Sequence, residues 1–322
     1  MLIFFLLFSL NLSAKEPVLE IVSYNVQNLF DANHDVGNED YPFLPLENPY
    51  KVKGCKKLPY NKRASCEKLD WNERSVDLKI SQIKKAIGSP DVLVIIEIES
   101  EIVAKKLSLE LGLLNYVLSS EHDNRGIRTS FFFKKGKILR KREIPIKNSR
   151  SILEIKIEFL KGDPVTFFIN HWPSQKNSSF SREYAGEQLL KRLNQLQNEK
   201  IIILGDFNFD PRFEGNSLFE NDKFIDLSPK FEPNPGTYFY IPEKKWSGFD
   251  RILISKNLSQ RVKNFKILRK AYLEKEFMWG EQKEKIPFRY NHSSSDPLYA
   301  GFSDHFPVQM KLMLIPEDGK KF

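Results

Sequence analysis

Apolar residues fall along this chain in short dense runs set apart by polar stretches, and the spacing inside each run separates strands from helices. Leu19-Glu-Ile-Val-Ser-Tyr-Asn25 is rich in β-branched and aromatic residues and predicts a strand that delivers Asn25 to a loop. Asp91-Val-Leu-Val-Ile-Ile-Glu97 and Lys200-Ile-Ile-Ile-Leu-Gly-Asp206 carry unbroken apolar runs too short for helices, as expected of strands buried on both faces. Further strands are expected near Thr129 to Phe133, Ser151 to Phe159 and Val165 to Asn170, in the run ending at Ile254, and after Val308. Helical spacing appears between them. Val76, Leu78, Ile80, Ile83 and Ile87 predict an amphipathic helix over 74–87 that stops at Gly88-Ser-Pro, and Ala185, Leu189, Leu190, Leu193 and Leu196 predict another over 182–198. A third helix is expected near Glu101 to Leu111.

Residues 31–72 and 274–300 show no convincing period and read as surface inserts, the first long enough to suggest a functional or mobile connection. No repeat, low-complexity tract or linker divides the rest, so residues 15–322 are expected to form one α/β domain. The opening MLIFFLLFSLNLSA, residues 1–14, has no charge and is too short to span a bilayer. It reads as a cleaved signal peptide, placing the mature protein in the periplasm or outside the cell. Two cysteines, Cys55 and Cys66, lie in the first insert; an oxidising compartment would allow a disulfide and the cytosol would keep them reduced.

Composition sharpens this only slightly. With 322 residues, 41% of them apolar, the chain can bury a large core, and 50 basic against 42 acidic residues give a formal charge of +8. That excess favours a polyanionic partner such as nucleic acid or an anionic membrane surface.

Candidate chemistry gathers at strand ends. Asp206 and Asn208 stand two apart after a buried strand, and a period of two would bring both side chains to one face. A carboxylate and an amide converging there suit a hard cation or a phosphate. Glu97 ends another buried strand and needs a partner or solvent.

The segments SYNVQNLF, DVLVIIEIE, INHWPS, ILGDFNFDP, GFDRILIS and GFSDHFPV, taken in this order over about residues 18–314, resemble the endonuclease/exonuclease/phosphatase superfamily. The HWPS and SDHFPV forms look most like a bacterial, often exported, subgroup with deoxyribonuclease I-like members. The resemblance implies a four-layer α/β sandwich: two central, mostly antiparallel sheets packed face to face, flanked by helices, with the catalytic loops at one edge. It also implies a metal-binding Glu97, helped by Asn25, Asp304 or Asp206, and magnesium (Mg2+) as the cofactor, with Mn2+ or Ca2+ as alternatives. His305 matches the family's terminal histidine and Asp250 the acid that orients it. His171 matches a histidine that contacts the scissile phosphate and protonates the leaving group, Asp206 is the alternative proton carrier, and Asn208 positions phosphate or nucleophile.

Where close relatives read Arg-Gly-Ile-Asp, this chain has Arg125-Gly-Ile-Arg128, and Arg128 is a candidate phosphate contact. Ser174 and Trp172 are further candidates for substrate binding, Trp172 by stacking or by packing beneath the site. The implied activity is hydrolysis of phosphodiester bonds in nucleic acid, DNA first, by a monomer without membrane insertion. The alternatives are a phosphatase or phospholipid phosphodiesterase of the same superfamily, or a catalytically silent binding protein.

Overall fold

Two six-stranded sheets make the frame, in a computed structural model that describes residues 17–228 and 236–315. The expected leader, residues 1–14, lies outside the described residues. The first sheet runs Val262–Ile267, Val308–Met313, Val18–Leu29, Val92–Ile98, Arg128–Phe133, Asn115–Leu118. The second runs Lys137–Ile144, Ile152–Glu158, Pro164–His171, Ile201–Asp206, Asp250–Ser255, Phe224–Asp226. Each sheet holds one parallel pair: Val18–Leu29 beside Val92–Ile98, and Pro164–His171 beside Ile201–Asp206. A parallel pair needs a crossover, which the helices Glu73–Ile87 and Ser179–Leu193 supply.

The apolar runs are continuous because both faces of these strands are covered. On Pro164–His171, Val165, Phe167 and Ile169 join the large core between the sheets, while Phe168 points the other way into a second cluster with Ala185 and Leu189 of Ser179–Leu193. Ile202 and Leu204 against Ile201 and Ile203 repeat that split on the next strand. Helices Glu73–Ile87 and Glu101–Leu111 bury Val76, Ile80, Ile83, Val103 and Leu107 in the large cluster, giving the helix–sheet–sheet–helix order expected of the resemblance.

The inserts are more ordered than their composition suggests. Helices Pro49–Cys55 and Tyr60–Lys68 are joined by a disulfide between Cys55 and Cys66, and the buried Lys51 ammonium donates to the carbonyls of Tyr41, Pro42 and Leu44 at 3.3, 3.1 and 2.8 Å. The second insert contains a hairpin, Glu274–Trp279 with Gln282–Pro287. Four strands of these sheets had no legible pattern: Asn115–Leu118, the charged edge strand Lys137–Ile144, the short Phe224–Asp226, and Val262–Ile267 within the basic stretch. Among the described residues no helix is long and apolar enough to cross a membrane.

Candidate active site

Strand register brings the polar residues together. In the second sheet His171 pairs with Asp206 across the parallel ladder, and Asp250 pairs with Asp206 from the other side, so three functional residues stand abreast at one edge. Gly205 allows this approach: its φ is +133°, and a Cβ there would lie 2.1 Å from the Asn170 carbonyl oxygen. In the facing sheet, Val18–Leu29 and Val92–Ile98 both break register at their ends, after Asn25 and around Glu97. Gln27, Asn28 and Glu97 take left-handed backbone there, with φ of 55°, 64° and 71°. Such conformations in non-glycine residues are strained and cluster at functional sites. Here the bulges let the Asn28 N–H donate to Glu97 Oε2 at 2.9 Å and hold that carboxylate at the mouth of the gap.

Asp206 and Asn208 do meet, but strand alternation is not the cause. The strand ends at Asp206, and Asn208, at φ 46°, folds back so that its N–H donates to Asp206 Oδ1 at 2.8 Å. Its side-chain amide donates to the Trp172 carbonyl at 3.1 Å. Asn25 reaches across from the first sheet and donates to Asp206 Oδ2 at 2.9 Å. Around that same oxygen stand His171 Nε2 at 3.9 Å and His305 Nε2 at 4.0 Å, with Glu97 Oε1 3.8 Å from His171 Nε2. His305 Nδ1 sits 2.6 Å from Asp250 Oδ2, and Asp304 Oδ1 lies 4.0 Å from His305 Nε2. All of these except Asp250 and Trp172 line one open cavity of about 1410 Å³, as does Ser174.

Burial and charge set the protonation states. Burial alone would drive the His305 imidazolium down, but Asp250, with Asp206 and Asp304 beyond it, pushes it up to about 10. Burial raises the Asp206 carboxyl, against the opposing pull of the His305 charge. His171 goes the other way: burial, then the Arg150, Arg125 and His305 charges, hold its imidazole neutral, and its Nδ1 has no hydrogen-bond partner among the described residues.

One comparison now decides the family: the family described as "Endonuclease/Exonuclease/phosphatase family" matches residues 20–314. The chain belongs to that family. No curated protein matches it by sequence. Among solved structures, it resembles an endonuclease/exonuclease/phosphatase family protein from Bacteroides thetaiotaomicron at 17% identity, covering 94% of this chain and 99% of that one, with a TM-score of 0.57. A TDP2 from D. rerio, complexed with single strand DNA product, matches at 14% identity over 92% of this chain and 99% of its own, TM-score 0.53. A mannosyl-6-phosphatase from Bacteroides thetaiotaomicron matches at 18% identity over 92% and 100%, TM-score 0.52. At these identities the three share the fold.

Two expected substrate contacts lie elsewhere. Arg128 begins the strand Arg128–Phe133 and donates to the Ser119 and Ser120 carbonyls at 3.2 and 3.3 Å, outside the cavity lining. Trp172 is almost fully buried among Phe207, Phe209 and Phe219, with its indole N–H bound to Asn170 Oδ1 at 2.9 Å. It packs beneath the site. Arg125 and Arg150 line the cavity instead, gripped by Asp123; Arg125 matches the Arg of the Arg-Gly-Ile-Asp form, whereas Arg150 carried no sequence signal.

Family enzymes as a class are phosphoesterases that use divalent cations, and the donors suit a hard one. Glu97 spends one oxygen on Asn28 and leaves Oε1 in the cavity, and the Asn25 side-chain oxygen accepts one bond, from the Gln27 N–H at 3.0 Å. Among the described residues no three His, Cys, Asp or Glu side chains close on one point.

Proposed function

We propose that this protein is an exported, divalent-metal-dependent nuclease that hydrolyses phosphodiester bonds of nucleic acid, DNA first. The observation that carries the reading is the convergence of His171 and His305, through their Nε2 atoms, on one oxygen of a buried Asp206, with Glu97 beside them and Asp250 behind His305. The spacings of about 4 Å leave a gap bordered by donors and acceptors of the kind a phosphoryl group needs.

In this reading Glu97 would hold the cation, with Asn25 and Asp304 as the further oxygen donors on that side of the cavity. Once bound, such an ion draws charge from the phosphoryl and leaving oxygens as a Lewis acid. Asp206, made more basic by burial, takes a proton from the attacking water. The His305 imidazolium, kept charged by Asp250, faces the negative charge that develops on the phosphoryl oxygens. Neutral His171 holds those oxygens in place, and Asn208, tied to the Trp172 carbonyl, braces Asp206 beside them.

The cavity walls support a strand-like anion over a small ester. Its acids are largely spoken for: Asp123 by Arg125 and Arg150, Asp210 by Arg212, Glu214 by Arg182. Lys62, Lys176 and Lys245 line the same cavity, are exposed, and form no ion pair among the described residues. Contacts along a polyanion release counterions, so such lysines favour nucleic acid.

A substrate panel tests this. Mature protein is offered plasmid DNA, RNA, inositol phosphates and sphingomyelin, each with magnesium, manganese, calcium or EDTA. Chelator-sensitive DNA cleavage is expected; phosphate release with intact DNA would move the function to a phosphatase. The Cys55–Cys66 disulfide supports export. Cell fractionation is expected to find a chain shortened by about 14 residues outside the cytoplasm, and a full-length cytoplasmic protein would refute that part.

A further inference from the structure

Most phenylalanines around the strand end at Asp206 are inside: Phe207 and Phe209 are fully buried in the second cluster, and Phe219 packs against it. Phe213 is the exception. It is 53% exposed, belongs to neither core, and lines the cavity that holds His171, Asp206 and His305. The fold holds it there deliberately. Asp210, 2% exposed, accepts from the Gly248 N–H at 2.7 Å and the Arg212 N–H at 3.0 Å, tying the turn that displays Phe213 to the loop following Lys245. The Phe213 N–H in turn donates to the Asp210 carbonyl at 2.9 Å. As a result the Lys245 ammonium lies 3.5 Å from the Phe213 ring centroid, on the same cavity wall.

A half-exposed ring with a lysine ammonium over its face, 3.5 Å from the centroid, and the Arg212 guanidinium carbon at 5.3 Å joins apolar surface to positive charge, the combination that meets an unpaired nucleotide. Every base has a π-face to lay on a ring, whereas a paired base inside a duplex offers that face only to its neighbours. We propose that Phe213 and Lys245 form a subsite for a single-stranded stretch of the substrate, the ring stacking on an unpaired base and the ammonium meeting an adjacent phosphate. This deepens the nuclease reading and rests on it.

The test compares Phe213→Ala, Phe213→Trp and Lys245→Ala with the unaltered protein on a single-stranded oligonucleotide and on a blunt duplex, with magnesium. Phe213→Ala is expected to raise KM and lose roughly tenfold in kcat/KM on the single strand with kcat nearly kept, because a stacked base is worth about that much. Phe213→Trp is expected to restore KM, and Lys245→Ala to raise KM and flatten its dependence on salt. Circular dichroism is expected to show all three folded, since both side chains are exposed. Unchanged kinetics in Phe213→Ala, or an equal loss on the blunt duplex, overturns the subsite while the nuclease reading stands. If the unaltered protein cleaves neither nucleic acid, both readings fall together.

Discussion

Asp250 lies outside the cavity lining and bonds His305 from behind, which makes Asp250→Asn a sharp perturbation of the site. The two side chains meet at 2.6 Å with His305 7% and Asp250 0% exposed, so the pair is buried and charge-assisted. Removing the carboxylate takes away the strongest support of the His305 charge and leaves burial opposed only by Asp206 and Asp304, so the imidazole holds its proton less tightly. Breaking a buried pair costs about 3–5 kcal/mol, less whatever the histidine recovers by becoming neutral. The sign follows from the raised folded value. Below the unfolded pKa of about 6.5 the full stabilisation is present, and it is lost as pH climbs through about 10. The gap in stability between the unaltered protein and Asp250→Asn is therefore expected to be widest near pH 6.5 and to close towards pH 10. Urea unfolding in EDTA across that range measures it. Activity at pH 7 is expected to drop about 10²- to 10³-fold, the usual worth of one donor facing the charge that develops in the transition state. A stability gap independent of pH over this window, with activity within twofold, would refute the assignment of His305 as a cation held by Asp250.

Three other perturbations probe separate parts of the account. Glu97→Gln is expected to weaken apparent magnesium affinity by roughly 100-fold or more, read by calorimetric titration of the folded protein as well as by activity. Gly205→Ala places a Cβ 2.1 Å from the Asn170 carbonyl oxygen at φ +133° and is expected to cost about 3 kcal/mol or more, seen as a lower urea midpoint. Replacing Cys55 and Cys66 together by Ser opens a loop with a sequence separation of 11 and is expected to remove about 2–3 kcal/mol, seen as a lower urea midpoint, while leaving kcat nearly unchanged, because neither cysteine lines the cavity and the insert brings only Lys62 to its wall.

The buried strands were legible because their apolar runs answer to two covered faces, and so were the ends that deliver Asn25, Glu97, His171 and Asp206. That these ends meet was readable only through motif order, since periodicity says nothing of which strands neighbour one another. Register supplies the missing step by setting His171 and Asp250 on either side of Asp206. The left-handed backbone at Glu97 left no local trace: it comes from two adjacent strands bulging at one level. Lys137–Ile144 escaped notice because an edge strand carries long charged side chains, here Arg140 paired with Glu154 and Glu199. Arg128 and Trp172 looked like ligand contacts from their place in the motifs, yet backbone carbonyls and an aromatic cluster claim them.

The most direct test follows supercoiled plasmid with time in the presence of magnesium, for the unaltered protein and for His305→Ala, with and without EDTA. Nicked circles are expected from the unaltered protein alone, and none once the metal is chelated. Nicking at an equal rate by His305→Ala, or nicking that persists in EDTA, would contradict hydrolysis by a metal held beside this pair of histidines.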